Sequence, residues 1–202
     1  MKRLYENIER IDIQGGIEQL SEVVSSIDIS LQNIADYSDM LANFLIRYSV
    51  SNKGLQFEKV IDIAMFLRDK LYNASIAMND MQNQIVAYQN KIYRYEGMSA
   101  AAQLPNAYLV QRRNIDADTF AVQFDRTEMI EVASYMETYS EQVLYELVTI
   151  KYKKDAIAAV WRDPQYYDFA DFVDDVIKTV LNAVKIFDDY VISLKERIQE
   201  MD

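Results

Sequence analysis

The chain has 202 residues, half of them apolar, and a formal net charge of −11 at pH 7. It has no cysteine and no histidine, which excludes thiol catalysis, disulfides, serine–histidine triads and most zinc sites. The negative charge disfavours general binding to nucleic acids and to anionic membranes. We therefore expect no cofactor, no metal and no nucleic-acid partner.

The sequence also has no segment typical of a membrane span or a secretion signal. No stretch approaches the ~18 apolar residues that a spanning helix needs. The N-terminal residues 1–13 lack the apolar core of a signal peptide. We expect a cytoplasmic protein, or one that is secreted without a classical signal peptide.

Helix breakers are scarce, with four glycines and two prolines, which predicts long helices. The first predicted helix covers about residues 16–51, where apolar residues recur every three or four positions. A turn follows, in which Ser51 or Asn52 is expected to cap the next helix. That second helix covers about residues 55–96, and its ~40 residues would be roughly 60 Å long.

The second half of the chain begins after a break in the pattern at residues 98–124, which we interpret as a linker with room for a short helical piece. Asp125 and Glu128 are spaced as in a capping box, which predicts the start of a third helix. The apolar stripe of this helix is interrupted at Lys154, where we expect a wetter turn.

The start of the fourth helix has the clearest signal in the sequence. Asp163 stands at the N-cap position and Pro164 at the first helical position, where no N–H is needed. The following apolar seam has a period near 3.5, which is typical of helices that pack almost parallel to one another. The seam consists of Phe169, Phe172, Val176, Val180, Val184, Phe187, Val191, Leu194, Ile198 and Met201.

These patterns predict an all-α fold class, in which long helical hairpins form an elongated four-helix bundle or coiled-coil-like rod. The predicted domains are an N-terminal hairpin at 1–97, a linker at 98–124 and a C-terminal hairpin at 125–202. Further apolar residues beside the main stripes widen the apolar faces, so we expect each hairpin to cover the other.

The C-terminal half resembles the WXG100 (ESAT-6-like) family of small helical hairpins, which have a tryptophan at the turn and an aromatic residue several positions later. Here the turn contains Trp161, Arg162, Asp163 and Pro164, and Phe169 follows. Asp163 stands where the family has glycine, and the tail signal of the family, a tyrosine followed four residues later by Asp or Glu, is missing after the last helix. The resemblance implies a link to type VII secretion, as an exported protein or as the companion of a larger substrate.

The candidate partner-binding residues are those of this turn: Trp161, Arg162, Asp163, Tyr166 and Tyr167. The resemblance implies that the tryptophan turn contacts the secretion machinery. The alternative interpretation is that Trp161 is a core aromatic residue that fastens the helix junction.

Acidic residues of the fourth helix raise the question of a metal site. Asp171 shares a helix face with Asp174 or Asp175. Di-iron bundles use Glu-x-x-His pairs, and histidine is absent, so a solvated acidic face is the preferred interpretation.

No phosphate-binding loop and no nucleophile–base pair is present in the sequence, so we expect no enzymatic activity. The leading hypothesis is a non-catalytic helical interaction protein that is a WXG100-like substrate of a type VII secretion system, or its partner or chaperone. Its partner is expected to be another protein or a second copy of the chain. The alternative is a structural coiled-coil or scaffold protein, for example of a phage or a cytoskeleton, with no role in secretion.

Overall fold

The described residues of the computed structural model form four long helices and no β-sheet, which confirms the predicted all-α fold. The helices are α1 (Ile13–Tyr48), α2 (Leu55–Tyr95), α3 (Arg126–Ile157) and α4 (Pro164–Gln199). None of them is long and apolar enough, within the described residues, to cross a membrane. The structure describes residues 13–95, 97, 108–111, 113–116, 118–159, 161 and 164–200, with the side chains of α1 described from residue 18 onward.

The predicted helix bounds agree with the structure to within a few residues. The first helix begins earlier than expected, at Ile13, so Gly15 lies within it. Pro164 is the first residue of α4, as predicted, whereas Asp163 and the last seam residue, Met201, lie outside the described residues. No helix occurs in the described part of the predicted linker, which comprises residues 108–111, 113–116 and 118–124.

The four helices form one bundle in which every neighbouring pair is antiparallel. Helix α1 packs against α2 and α3, and α4 packs against the same two helices. The Asn33 side chain of α1 donates to Glu146 of α3 at 2.8 Å, and Tyr48, at the end of α1, donates to Glu131 near the start of α3. Helices α2 and α3 therefore run in the same direction, and the turns of the two hairpins lie at opposite ends of the bundle.

The described residues between 108 and 124, here called the crossover segment, lead along the bundle to the start of α3, and Arg68 of α2 holds them against it. The Arg68 side chain is 3% exposed and lies 3.4 Å from the Asp39 carboxylate. Its guanidinium also donates to the carbonyl oxygens of Ser38 and Gln111. Burial lowers the pKa of Arg68, but the nearby Tyr139 and Asp39 oppose this shift. One buried cation thus links α1, α2 and the crossover segment.

Most residues of the apolar stripes predicted from the sequence form the core between the helices. In α4, however, Phe172 of the predicted seam is exposed and Val176 is only partly buried, because the buried face runs through Val173 and Ile177 instead. In α3, the residues of the predicted apolar stripe are buried: Met129, Val132, Met136, Tyr139, Val143, Leu147, Ile150 and Ile157. Tyr139 is buried near the middle of the bundle, where its hydroxyl lies 2.9 Å from Ser38 Oγ. Ser38 Oγ donates to the Ile34 carbonyl, so the Tyr139 hydroxyl is the donor to Ser38. This buried polar contact helps to fix the register of α1 against α3.

The sequence predicts a wetter turn at Lys154, and the structure contradicts this prediction. Lys154 is buried, and its Nζ donates to Asp174 Oδ2 at 2.6 Å and lies 2.9 Å from Asp155 Oδ1. Burial by itself lowers the pKa of Lys154, but the hydrogen bonds with Asp174 and Asp155 raise it above its ordinary value. The long aliphatic stem fills the core stripe while the ammonium is paired at its edge.

The prediction that Ser51 or Asn52 caps the second helix is also wrong, because both side chains bind the start of α3 instead. Asn52 is fully buried; it accepts from the Asp125 backbone N–H at 2.9 Å and donates to the Glu128 carboxylate at 2.6 Å. Asp125 is the predicted N-cap of α3 and accepts from the Glu128 N–H at 3.0 Å. The Glu128 carboxylate does not return to Asp125 as in a capping box; it also accepts from the Ser51 hydroxyl.

Candidate partner-binding groove at the tryptophan turn

Trp161 lies at the junction of α3 and α4 and packs against α2. Its side chain is 7% exposed. The indole ring stacks on Tyr88 of α2 with the ring centroids 5.2 Å apart. It also contacts the rings of Phe169 and Tyr166, at centroid distances of 5.5 and 5.9 Å. Trp161 therefore joins the turn of the second hairpin to a helix of the first hairpin.

A half-open groove of about 540 Å³ lies beside this aromatic cluster, between the C-terminal part of α2 and the first turns of α4. Its α2 side is lined by Met81, Gln84, Ile85, Ala87, Tyr88 and Lys91, and its other side by Trp161, Gln165, Asp168, Phe169 and Phe172.

The groove has an apolar floor and a polar rim. The floor residues Met81, Ile85 and Phe169 are buried, whereas Phe172 at the margin is 40% exposed. Exposed Lys91 and Asp168 stand on opposite sides of the rim. An apolar cleft of this volume with a few polar groups at its edge is the usual form of a binding site. The charged rim allows an occupant to be oriented by an acidic group near Lys91 and a basic group near Asp168.

The structure places the sequence-predicted turn residues in different environments. Tyr166 is buried against Trp161, and burial raises the pKa of its hydroxyl. Tyr167 is 64% exposed and does not line the groove. Arg162 and Asp163 lie outside the described residues. Of the three candidates that the structure describes, Trp161 is the one that lines the groove.

Sequence reasoning missed the α2 side of the groove, which includes Tyr88 and Lys91. Tyr88 belongs to the apolar stripe of the second helix, but nothing in a single sequence shows that it meets Trp161. Phe172 offered a weak signal, because it is part of the predicted seam of the fourth helix and yet remains partly exposed at the groove margin.

The acidic residues considered as a metal site have other surroundings. Asp174 accepts from Lys154, while Asp171 and Asp175 are exposed. Within the described residues, no group of three or more carboxylates is close enough to hold a metal ion.

No protein family model, no curated protein and no solved structure matches this chain.

Proposed function

We propose that this protein is a non-catalytic helical interaction protein, and that it binds a protein partner in the groove beside Trp161. We further propose that it works as a WXG100-like substrate of a type VII secretion system, or as the companion of a larger substrate. It would then be cytoplasmic, or exported without a classical signal peptide. The observation that carries the proposal is the open apolar groove at the turn that resembles the family.

The packing of the two hairpins supports this proposal. Single hairpins of the WXG100 kind pair to bury their apolar seams. Here two hairpins in one chain pack against each other, so the high local concentration replaces the affinity of a dimer. The main seams are thus already buried, and the groove is left as an apolar surface for an outside partner.

The groove chemistry indicates the kind of segment that would bind. The floor accepts an apolar side chain, which would lie against the rings of Trp161 and Phe169. A basic residue of the partner would pair with Asp168, and an acidic one with Lys91. An apolar segment with flanking charges of both signs fits these requirements.

The proposal is tested by blocking the groove without disturbing the core. Ala87 is exposed and lines the groove, so Ala87→Glu adds bulk and charge at its mouth. Val148→Glu is the matched control, because Val148 is an exposed residue of α3 that does not line the groove. Each variant would be purified with an affinity tag from its native host, and the bound chains would be identified.

We expect the wild type and Val148→Glu to retain a component or substrate of a type VII secretion system. Ala87→Glu should retain at least about tenfold less of it, since a buried unpaired charge costs several kcal/mol. Equal retention by all three forms would contradict partner binding in the groove. Bound chains that include no component or substrate of a secretion system would contradict the secretion role.

Trp161 gives a second readout, because it is the single tryptophan of the chain. Its emission should shift when the purified partner is added to the wild type, since the ring lines the groove. The same addition to Ala87→Glu should leave the emission unchanged.

A scaffold role remains the second candidate, and a specific observation favours it. The crossover segment exposes Phe120 and Val122 almost completely, at the end of the bundle opposite to the groove. Exposed apolar side chains of this size are typical of contact surfaces between subunits.

A further inference from the structure

The most exposed large apolar side chains of the described residues cluster at one end of the bundle. Phe120 and Val122, in the segment that enters α3, are 101% and 94% exposed. Val50, in the turn between α1 and α2, and Leu55, the first residue of α2, are also exposed. We call the segment 118–123 the apolar loop.

The backbone of the apolar loop is held in place. Lys53 N donates to the Gln123 carbonyl and Gly54 N donates to the Asp118 carbonyl, both at 2.8 Å. Gly54 has a φ of +98°, and a side chain there would meet the Ala121 carbonyl oxygen at 3.0 Å. The glycine therefore permits the close approach of the loop.

A second set of contacts orients the tip of the loop. Phe120 N donates to Asp118 Oδ1 at 3.1 Å, and Asp118 Oδ2 lies 3.4 Å from Lys53 Nζ. The loop thus presents Phe120 and Val122 to solvent on an anchored backbone. Such preorganisation lowers the entropic cost of binding.

We propose that Phe120 and Val122 of one molecule insert into the groove beside Trp161 of a second copy of this chain. The groove of the same molecule is out of reach, because about 33 residues of α2 separate the two ends, or about 50 Å. The inference rests on the groove of the proposed function and assigns it a second occupant.

The chemistry of the two surfaces is complementary. The apolar floor of the groove accepts an aromatic and an aliphatic side chain, and its volume of about 540 Å³ has room for both. Asp118 lies beside Phe120, and its carboxylate would approach Lys91 on the groove rim. An aspartate is ionised at neutral pH, and the backbone hydrogen bond from Phe120 lowers the pKa of Asp118 further.

The contact joins unlike surfaces, so it is head-to-tail and does not close on itself as a symmetric dimer does. Two side chains bury a few hundred Å² per molecule at most, less than the ~800 Å² per partner of a standard interface. The association is therefore weak and produces short chains of molecules at high concentration. Because each copy carries a net charge of −11, salt screens their repulsion and strengthens the association.

Sedimentation equilibrium of the full chain over a wide concentration range tests the proposal. The wild type should show an average mass that rises with concentration and with salt. Phe120→Ser/Val122→Ser and Ala87→Glu should each weaken the association at least about tenfold. Val148→Ser, a change at another exposed apolar residue, should behave as the wild type.

The decisive arm mixes the two defective variants. Phe120→Ser/Val122→Ser keeps an intact groove, and Ala87→Glu keeps an intact loop, so the mixture should form one-to-one dimers that grow no further. A monomeric wild type at all concentrations, unchanged association of the loop variant, or a mixture without dimers would overturn the inference. Loss of partner capture by Ala87→Glu together with a monomeric wild type would leave the proposed function intact and remove only the self-association.

Discussion

The two ends of the bundle fasten the two halves of the chain by different interactions. At the turn between α1 and α2, Asn52 and Ser51 hydrogen-bond the start of α3. At the turn between α3 and α4, the ring of Trp161 packs against Tyr88 of α2. The hydrogen bonds at the first turn fix the backbone direction where α3 begins, and this positions the apolar loop that precedes α3. The aromatic end buries large rings and leaves a groove beside them.

The largest expected effect on stability comes from removing the Trp161 ring, which packs the second hairpin against α2. Trp161→Ala should lower the free energy of unfolding by about 3 kcal/mol, because it deletes a buried ring and leaves a cavity. Urea unfolding of the purified variant measures this. The control is Tyr167→Ala, which removes an exposed ring in the first turn of α4 and should cost about 0.5 kcal/mol or less. Equal stability of the two variants would show that the aromatic end does not hold the halves together.

The polar end should be somewhat less sensitive. Asn52→Ala should cost about 2 kcal/mol, because it leaves the Asp125 N–H and the Glu128 carboxylate without their buried partner. Asn43→Ala is the control, since Asn43 is exposed and its side chain accepts from Arg113 at the surface. If both substitutions give the same urea midpoint, the hydrogen bonds between Asn52 and the start of α3 contribute nothing to the free energy of unfolding.

The sequence predicted the helices well because their signals are local. Apolar residues at spacings of three and four define each helix, and Pro164 marks the start of α4. The joints between the halves depend instead on residues that are far apart in the sequence. Asn52 is 73 residues from Asp125, to which it binds.

The same limit explains the other differences between prediction and structure. Lysine is a residue type that is normally exposed, and Asp174, which pairs with Lys154, comes from the next helix. The groove requires α2 to meet α4, and no spacing within either helix encodes that meeting. Trp161 could be identified as a special residue of the turn, but its neighbour Tyr88 could not.

A third prediction concerns Tyr139 in the middle of the bundle, which is far from the contacts that join the two hairpins at either end. Burial raises the pKa of Tyr139 to about 12, from the ordinary value of 10.0. The folded state therefore favours the neutral phenol, and this contribution is fully present below pH 10 and is lost as the pH rises from 10 to 12. The loss has a slope of about 1.4 kcal/mol per pH unit at most.

Tyr139→Phe removes this titration, although it also removes the hydrogen bond to Ser38. The variant should be less stable than the wild type at about pH 8 by about 1 kcal/mol. The difference should shrink between pH 10 and pH 12, as measured by urea unfolding at each pH. A constant difference over this range would contradict the burial of the phenol.

The smallest expected effect is at Asp28 of α1. Burial raises the pKa of its carboxyl, although a hydrogen bond with the Gln82 side chain opposes the shift. The folded state therefore disfavours the charged form, so Asp28→Asn should slightly raise the urea midpoint at neutral pH. The advantage should vanish as the pH falls below the raised pKa, where the wild-type carboxyl is neutral too. An unchanged or lower midpoint at neutral pH would contradict this.

The central claim is that both hairpins pack in one bundle with the two unlike turns at opposite ends. The chain has no cysteine, so spin labels can be attached at Val50→Cys and Tyr167→Cys, which replace an exposed residue of the first turn and one in the first helical turn of α4. Pulsed electron–electron double resonance should give one narrow distance distribution centred at about 45 Å, from the rise of about 28 residues of α1 and the width of the bundle. A peak below about 25 Å, little more than two helix diameters, would place both turns at the same end, and a broad distribution would show that the hairpins do not pack together.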